Sequence, residues 1–159
     1  MRAAVLIVSD SSYSGERPDR TGPELSQRLL ALGWEVRASG LVPDEGGAIR
    51  RALEQWLARD DLDVIFTAGG TGVAPRDVTP EATRALIERE VPGLGELMRA
   101  EGVKHTRRAA LSRAVAGTRG DKLILNLPGS PRGALESLDA VADLLPHIVE
   151  LLHGRGSPH

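Results

Sequence analysis

Two rhythms of apolar residues alternate along this chain. Ala3 to Val8 is almost wholly apolar, with β-branched Val5, Ile7 and Val8; it predicts a central strand covered on both faces. Leu25, Leu29 and Leu32 then recur at helical spacing, in a stretch that opens at Thr21-Gly22-Pro23-Glu24 and stops at Gly33. Trp34 to Val42 predicts a second strand, and Ile49, Leu53 and Leu57 a second helix. A third apolar run begins at Val64. It leads through a glycine-rich turn to a helix carrying Ala82, Ala85 and Leu86, and another helix spans Gly95 to Gly102. Val115 to Leu127 reads as two strands joined by a short polar turn. Ala134, Leu138, Val141 and Leu145 lie on one stripe of a last helix that Pro146 interrupts. Strands alternating with helices predict an α/β fold: a three-layer α/β/α sandwich whose mostly parallel sheet carries an antiparallel strand pair.

The stretch from Val64 to Pro80 holds the most chemistry. An apolar strand passes into Gly69, Gly70 and Gly72, and Thr79-Pro80-Glu81 then reads as a threonine-capped helix start. Open α/β sheets bind ligands just past the carboxyl ends of their strands. Backbone N–H groups in such a turn can cradle an anion. Thr67, Thr71, Arg76 and Asp77 add hydroxyls, a cation and a carboxylate. The loop lacks the Gly-Lys-Ser/Thr of a P-loop, and it does not meet the Gly-x-Gly-x-x-Gly dinucleotide pattern. The residues alone therefore give an anion-binding loop or a tight turn. Likewise Ser9 and Asp10 end a strand, Asp44 precedes a helix as an N-cap would, and Ser130-Pro131 is a capped helix start.

Composition narrows the field. The 159 residues suit one domain over residues 1–153, with 154–159 as a flexible tail. A net charge of −2 gives no general attraction to nucleic acid or membrane, so any anion site is local. There is no cysteine, which excludes disulfides, thiolate metal sites and cysteine nucleophiles. The four histidines have no metal-ligand spacing. No apolar run approaches the ~20 residues of a membrane helix. Met1 leads directly into a strand-like run without a leader pattern, so a cytoplasmic location is expected.

Thr67-Ala68-Gly69-Gly70-Thr71-Gly72 followed by Arg76-Asp77-Val78-Thr79-Pro80-Glu81 is similar to the signature of the molybdenum-cofactor biosynthesis family of MogA and MoaB. Five further segments resemble that family: Ser9-Asp10 with Ser14-Gly15, Pro43-Asp44, Pro92-Gly93 through Arg99, Ser112-Arg113, and Asn126 through Pro131. The resemblance covers essentially the whole chain. It implies a nucleotidyltransferase that adenylylates molybdopterin with ATP and Mg²⁺, or alternatively a MoaB-like protein that binds pterin or nucleotide without turnover. It implies a homotrimer or homohexamer. Asp44 and Asp77 become the catalytic and metal-holding carboxylates. Gly69, Gly70, Thr71 and Gly72 become phosphate or nucleotide contacts through backbone N–H. The remaining implied contacts are Ser9, Asp10, Ser14, Glu96 and Ser112 around the substrate, with Pro128, Gly129, Ser130 and Pro131 bordering the nucleotide.

Overall fold

The computed structural model describes residues 1–155, so the last four residues of the expected tail, 156–159, lie outside the described residues. Within this span Arg2–Val8 (β1), Glu35–Val42 (β2), Val64–Ala68 (β3), Arg89–Glu90 (β4), Ala116–Arg119 (β5) and Lys122–Leu127 (β6) form one sheet in the order β2-β1-β3-β6-β5-β4. The pairs β1·β2, β1·β3 and β3·β6 are parallel, and β5 runs antiparallel to both β6 and β4. β4 was not expected. Its two residues are both exposed, so no apolar rhythm marks it.

The helices are Asp10–Tyr13 (α1), Thr21–Ala31 (α2), Gly46–Leu57 (α3), Thr79–Arg84 (α4), Pro92–Gly102 (α5), Pro131–Asp139 (α6) and Leu145–Leu152 (α7). Strand alternation sorts the core into two layers. Ala3, Val5 and Ile7 of β1 and Val64 and Phe66 of β3 face one way, against Leu25 and Leu29 of α2, Leu94 and Met98 of α5, and Ala134, Leu138, Leu145 and Val149 of α6 and α7. Ala4, Leu6, Val8 and Ile65 face the other way, against Ile49 and Leu53 of α3 and Ala82 and Leu86 of α4. The sheet lies between helix layers, as the sequence predicts.

Three boundaries differ from expectation. The stripe from Ala134 to Leu145 is buried in one cluster, but the helix ends at Asp139 and restarts at Leu145. Both pieces pack on the same face, so the apolar spacing survives the break. Thr79 is the first residue of α4 rather than its cap; Val78 occupies the cap position. The Thr79 hydroxyl instead donates to the Gly69 carbonyl at 2.8 Å. Ser9, expected to end a strand, also caps a single helical turn, α1, by accepting from the Ser12 N–H.

Candidate functional site

Strand register brings the polar loops together. β1 pairs with β2 so that Val8 meets Val42; Ile7 meets Ala68 of β3, and Ala68 meets Leu127 of β6. These strands run parallel, so their carboxyl ends share one edge of the sheet. Asp10, Asp44, Gly70 and Gly129 each lie two positions past the last residue of their strand. Side chains far apart in sequence thus reach one place through pairing alone. The order β2-β1-β3 also makes the β1/β3 edge the point where chain connections diverge to opposite sides, which is where open α/β sheets place ligands.

Close backbone contacts form the floor. Gly69 has φ +111°, and a Cβ there would lie 2.1 Å from the Val8 carbonyl oxygen. A Cβ on Gly129 would lie 3.2 Å from the Gly69 Cα. These loops approach so closely that a side chain at Gly69 has no room. The Gly69 N–H donates to the Leu127 carbonyl at 3.1 Å, so the fold already uses that amide. Among the described residues no hydrogen bond takes up the Gly70 amide. Thr21 donates its hydroxyl to the Gly129 carbonyl at 2.8 Å, tying α2 to the same loop. Below the floor Asn126 is fully buried; it donates to the hydroxyls of Thr67 (2.8 Å) and Thr83 (2.9 Å) and accepts from the Val115 N–H (3.1 Å).

The carboxylates are set by reciprocal bonds. The Asp10 N–H donates to Asp44 Oδ2 at 2.9 Å, and the Asp44 N–H donates to Asp10 Oδ1 at 3.0 Å. Arg76 grips Asp10 in a fork, with Nε to Oδ2 at 2.6 Å and Nη2 to Oδ1 at 2.9 Å. Asp77 Oδ2 accepts from the Ala74 N–H at 2.8 Å. These environments push two neighbouring carboxyls apart. Burial raises the Asp44 carboxyl above its ordinary range, the charges of Asp10 and Asp77 push the same way, and the Asp10 N–H and Arg76 oppose them. Arg76 holds the Asp10 carboxyl below its ordinary range, helped by the Asp44 N–H.

A cleft of ≈ 730 Å³ opens at this edge, within the size range of small-molecule sites. Of the expected residues it is lined by Ser9, Asp10, Asp44, Gly69, Gly70, Asp77, Gly129, Ser130 and Pro131. Ser14, Thr71, Gly72, Glu96, Ser112 and Pro128 are not among its lining residues. Thr71 is buried, Ser14 and Glu96 are exposed, and Ser112 lines a separate hollow of ≈ 300 Å³ beside Arg99 and Arg113. The sequence reading missed Ser11, Arg17, Arg20 and Thr21, which also line the cleft. Only the exposed fold of the loop after α1 brings Arg17 and Arg20 to the rim, and no spacing rule encodes it.

Among the described residues no three His, Asp or Glu side chains gather into a protein-only metal cage. Asp44 and Asp77, two carboxylates that line one cleft, are a donor pair of the kind that could hold Mg²⁺, which commonly takes one or two carboxylates and completes its shell with water and substrate phosphates.

Residues 4–147 match the family described as "Probable molybdopterin binding domain". The chain belongs to that family. This family member is 45% identical over 149 residues to the molybdenum cofactor synthesis protein cinnamon of Drosophila melanogaster, a match covering 93% of this chain and 25% of that protein. The chain therefore spans about a quarter of the fly protein. It is 38% identical over 157 residues to the molybdopterin adenylyltransferase of Escherichia coli (strain K12), covering 97% and 79% of the two chains. Its fold superposes with a TM-score of 0.91 on the crystal structure of the molybdopterin biosynthesis enzyme MoaB from Thermus thermophilus, at 55% identity and with 98% of each chain covered.

Proposed function

We propose that this chain is a nucleotidyltransferase of molybdenum cofactor biosynthesis that adenylylates molybdopterin with ATP. One observation carries the reading: Asp10, Asp44, Gly69, Gly70, Asp77 and the Gly129-Ser130 turn converge on a single cleft at the β1/β3 edge. The relatives named for this activity match almost the whole chain.

The terminal phosphate oxygen of molybdopterin attacks the α-phosphorus of ATP. A new P–O bond forms as the bond to the β-phosphate bridging oxygen breaks, and pyrophosphate leaves. Such chemistry needs in-line positioning and charge stabilisation rather than a protein nucleophile. The Gly70 amide and the amino end of α6, capped by Ser130, supply donors for phosphate oxygens. Arg17 and Arg20 add positive charge at the rim. Asp44 and Asp77 would hold Mg²⁺, which when bound neutralises charge on the phosphates. The Asp10–Asp44 exchange fixes the Asp44 carboxylate against rotation.

The test is pyrophosphate release from molybdopterin, ATP and Mg²⁺. Wild-type protein releases it, and Asp77→Asn folds normally but loses most of the release. Full release by Asp77→Asn removes the catalytic assignment. Tight calorimetric binding of pterin or nucleotide without any release by wild type identifies a binding protein instead.

A further inference from the structure

We infer that Arg113 is a positioning residue that braces the glycine loop and so presents Asp77 to the cleft; this rests on the adenylyltransferase reading. Arg113 lies between a short 3₁₀ turn, Arg107–Leu111, and β5, and is not among the residues that line the cleft. It makes four bonds to one segment. Its N–H donates to the Thr71 carbonyl at 2.8 Å, Nε to the Gly72 carbonyl at 2.7 Å and Nη2 to the Asp77 carbonyl at 2.7 Å. Nη1 donates to the Glu81 carboxylate in the first turn of α4. The brace spans the loop from its first threonine to the helix that ends it.

Arg113 is itself held. Arg99 Nη1 reaches the carbonyls of Ser112 (3.3 Å) and Ala114 (3.4 Å), one on each side of it. Inside the loop, Ala74 and Asp77 exchange bonds: the Asp77 N–H donates to the Ala74 carbonyl at 2.9 Å, and the Ala74 N–H donates to Asp77 Oδ2. This small ring closes on itself, and among the described residues Arg113 is the only side chain whose hydrogen bonds tie the carbonyls of Gly72 and Asp77 to the body. A planar guanidinium meets three acceptors at fixed angles, which an ammonium does not reproduce. Of the Ser112-Arg113 pair, the arginine carries the site, and its effect reaches the cleft through Asp77.

The experiment compares Arg113→Met, Arg113→Lys and Glu81→Gln with wild type in two readouts. The first is pyrophosphate release, resolved into kcat and the KM for ATP. The second is amide hydrogen exchange at Ala74 and Asp77, with β1 and β3 as internal reference. A loop shifted by about 1 Å can lose on the order of 100-fold in rate. Arg113→Met is expected to lose at least tenfold in kcat with less than threefold change in KM. Its Ala74 and Asp77 amides exchange at least tenfold faster while the strands stay unchanged. Arg113→Lys falls between, and Glu81→Gln, which keeps the bonds to Gly72 and Asp77, stays within twofold of wild type. Exchange at Ala74 and Asp77 equal to wild type in Arg113→Met overturns the inference. So does faster exchange shared equally by the strands, the sign of general destabilisation. If wild type releases no pyrophosphate the activity reading fails, and the exchange comparison still decides whether the brace exists.

Discussion

Gly69→Ala measures how much of the site depends on close backbone approach. Alanine at this position places Cβ 2.1 Å from the Val8 carbonyl oxygen, about 1.3 Å short of the 3.4 Å at which ordinary contact begins. The obstacle is backbone at the carboxyl end of β1, so no side-chain rotation relieves it. A φ of +111° is also outside the region an L-residue adopts readily. The backbone strain is about 1–3 kcal/mol, and forcing an extra methyl into packed structure adds about 1–3 kcal/mol. The total, about 2–6 kcal/mol, is a large share of the roughly 5–15 kcal/mol that holds a domain folded. Urea denaturation followed by circular dichroism reads it. With m about 1–3 kcal/mol per M, a 3 kcal/mol loss lowers the midpoint by about 1–3 M at unchanged m. Gly15→Ala is the control: its φ is +81°, but a Cβ there meets nothing within 4 Å. It bears the conformational term alone, about 1–2 kcal/mol. If Gly69→Ala and Gly15→Ala shift the midpoint equally, the close approach to Val8 contributes nothing and the reasoning is wrong.

Asn126→Leu strands the Val115 N–H and two buried hydroxyls, each about 1–3 kcal/mol, so a loss of about 3–9 kcal/mol is expected in the same assay; a loss under 1 kcal/mol contradicts the bridging role. At the opposite edge, burial pushes the Asp63 carboxyl up, but the side-chain and backbone donors of Arg2 overcome it and leave the carboxyl below its ordinary range. Its stabilisation is therefore complete above the unfolded pKa of about 3.9 and is lost as pH falls through the lower folded value. Arg2→Met should flatten this acid limb and remove about 1–3 kcal/mol at pH 7, less than a fully buried pair because Arg2 is partly exposed; an unchanged pH profile of stability refutes the assignment. Arg76→Met frees Asp10 from its fork, so the Asp10 carboxyl should titrate at higher pH by ¹³C NMR, and a downward or absent shift contradicts the pairing.

The sheet was legible because β1, β3 and β6 are buried on both faces and so read as unbroken apolar runs. The edge strand β4 was not, since pairing with β5 through backbone alone leaves no mark on two exposed side chains. The carboxylates Asp44 and Asp77 were legible as residue types in a resembling pattern. The Asp10–Asp44 exchange was not, because it depends on the parallel register that sets Val8 opposite Val42. The expected N–H donor of Gly69 is instead used by Leu127, a pairing that only the approach of β3 to β6 decides. Arg113 drew notice only through its serine neighbour. A half-buried arginine reads like any surface cation until its acceptors are seen to be two carbonyls of one loop and a carboxylate of the helix that follows it.

The most direct measurement is a crystal structure of this chain with ATP and Mg²⁺. The account predicts the triphosphate in the cleft between the Gly69-Gly70 turn and Ser130, with the metal bound by Asp44 and Asp77. A nucleotide seated elsewhere, or a metal whose ligands include neither aspartate, contradicts it.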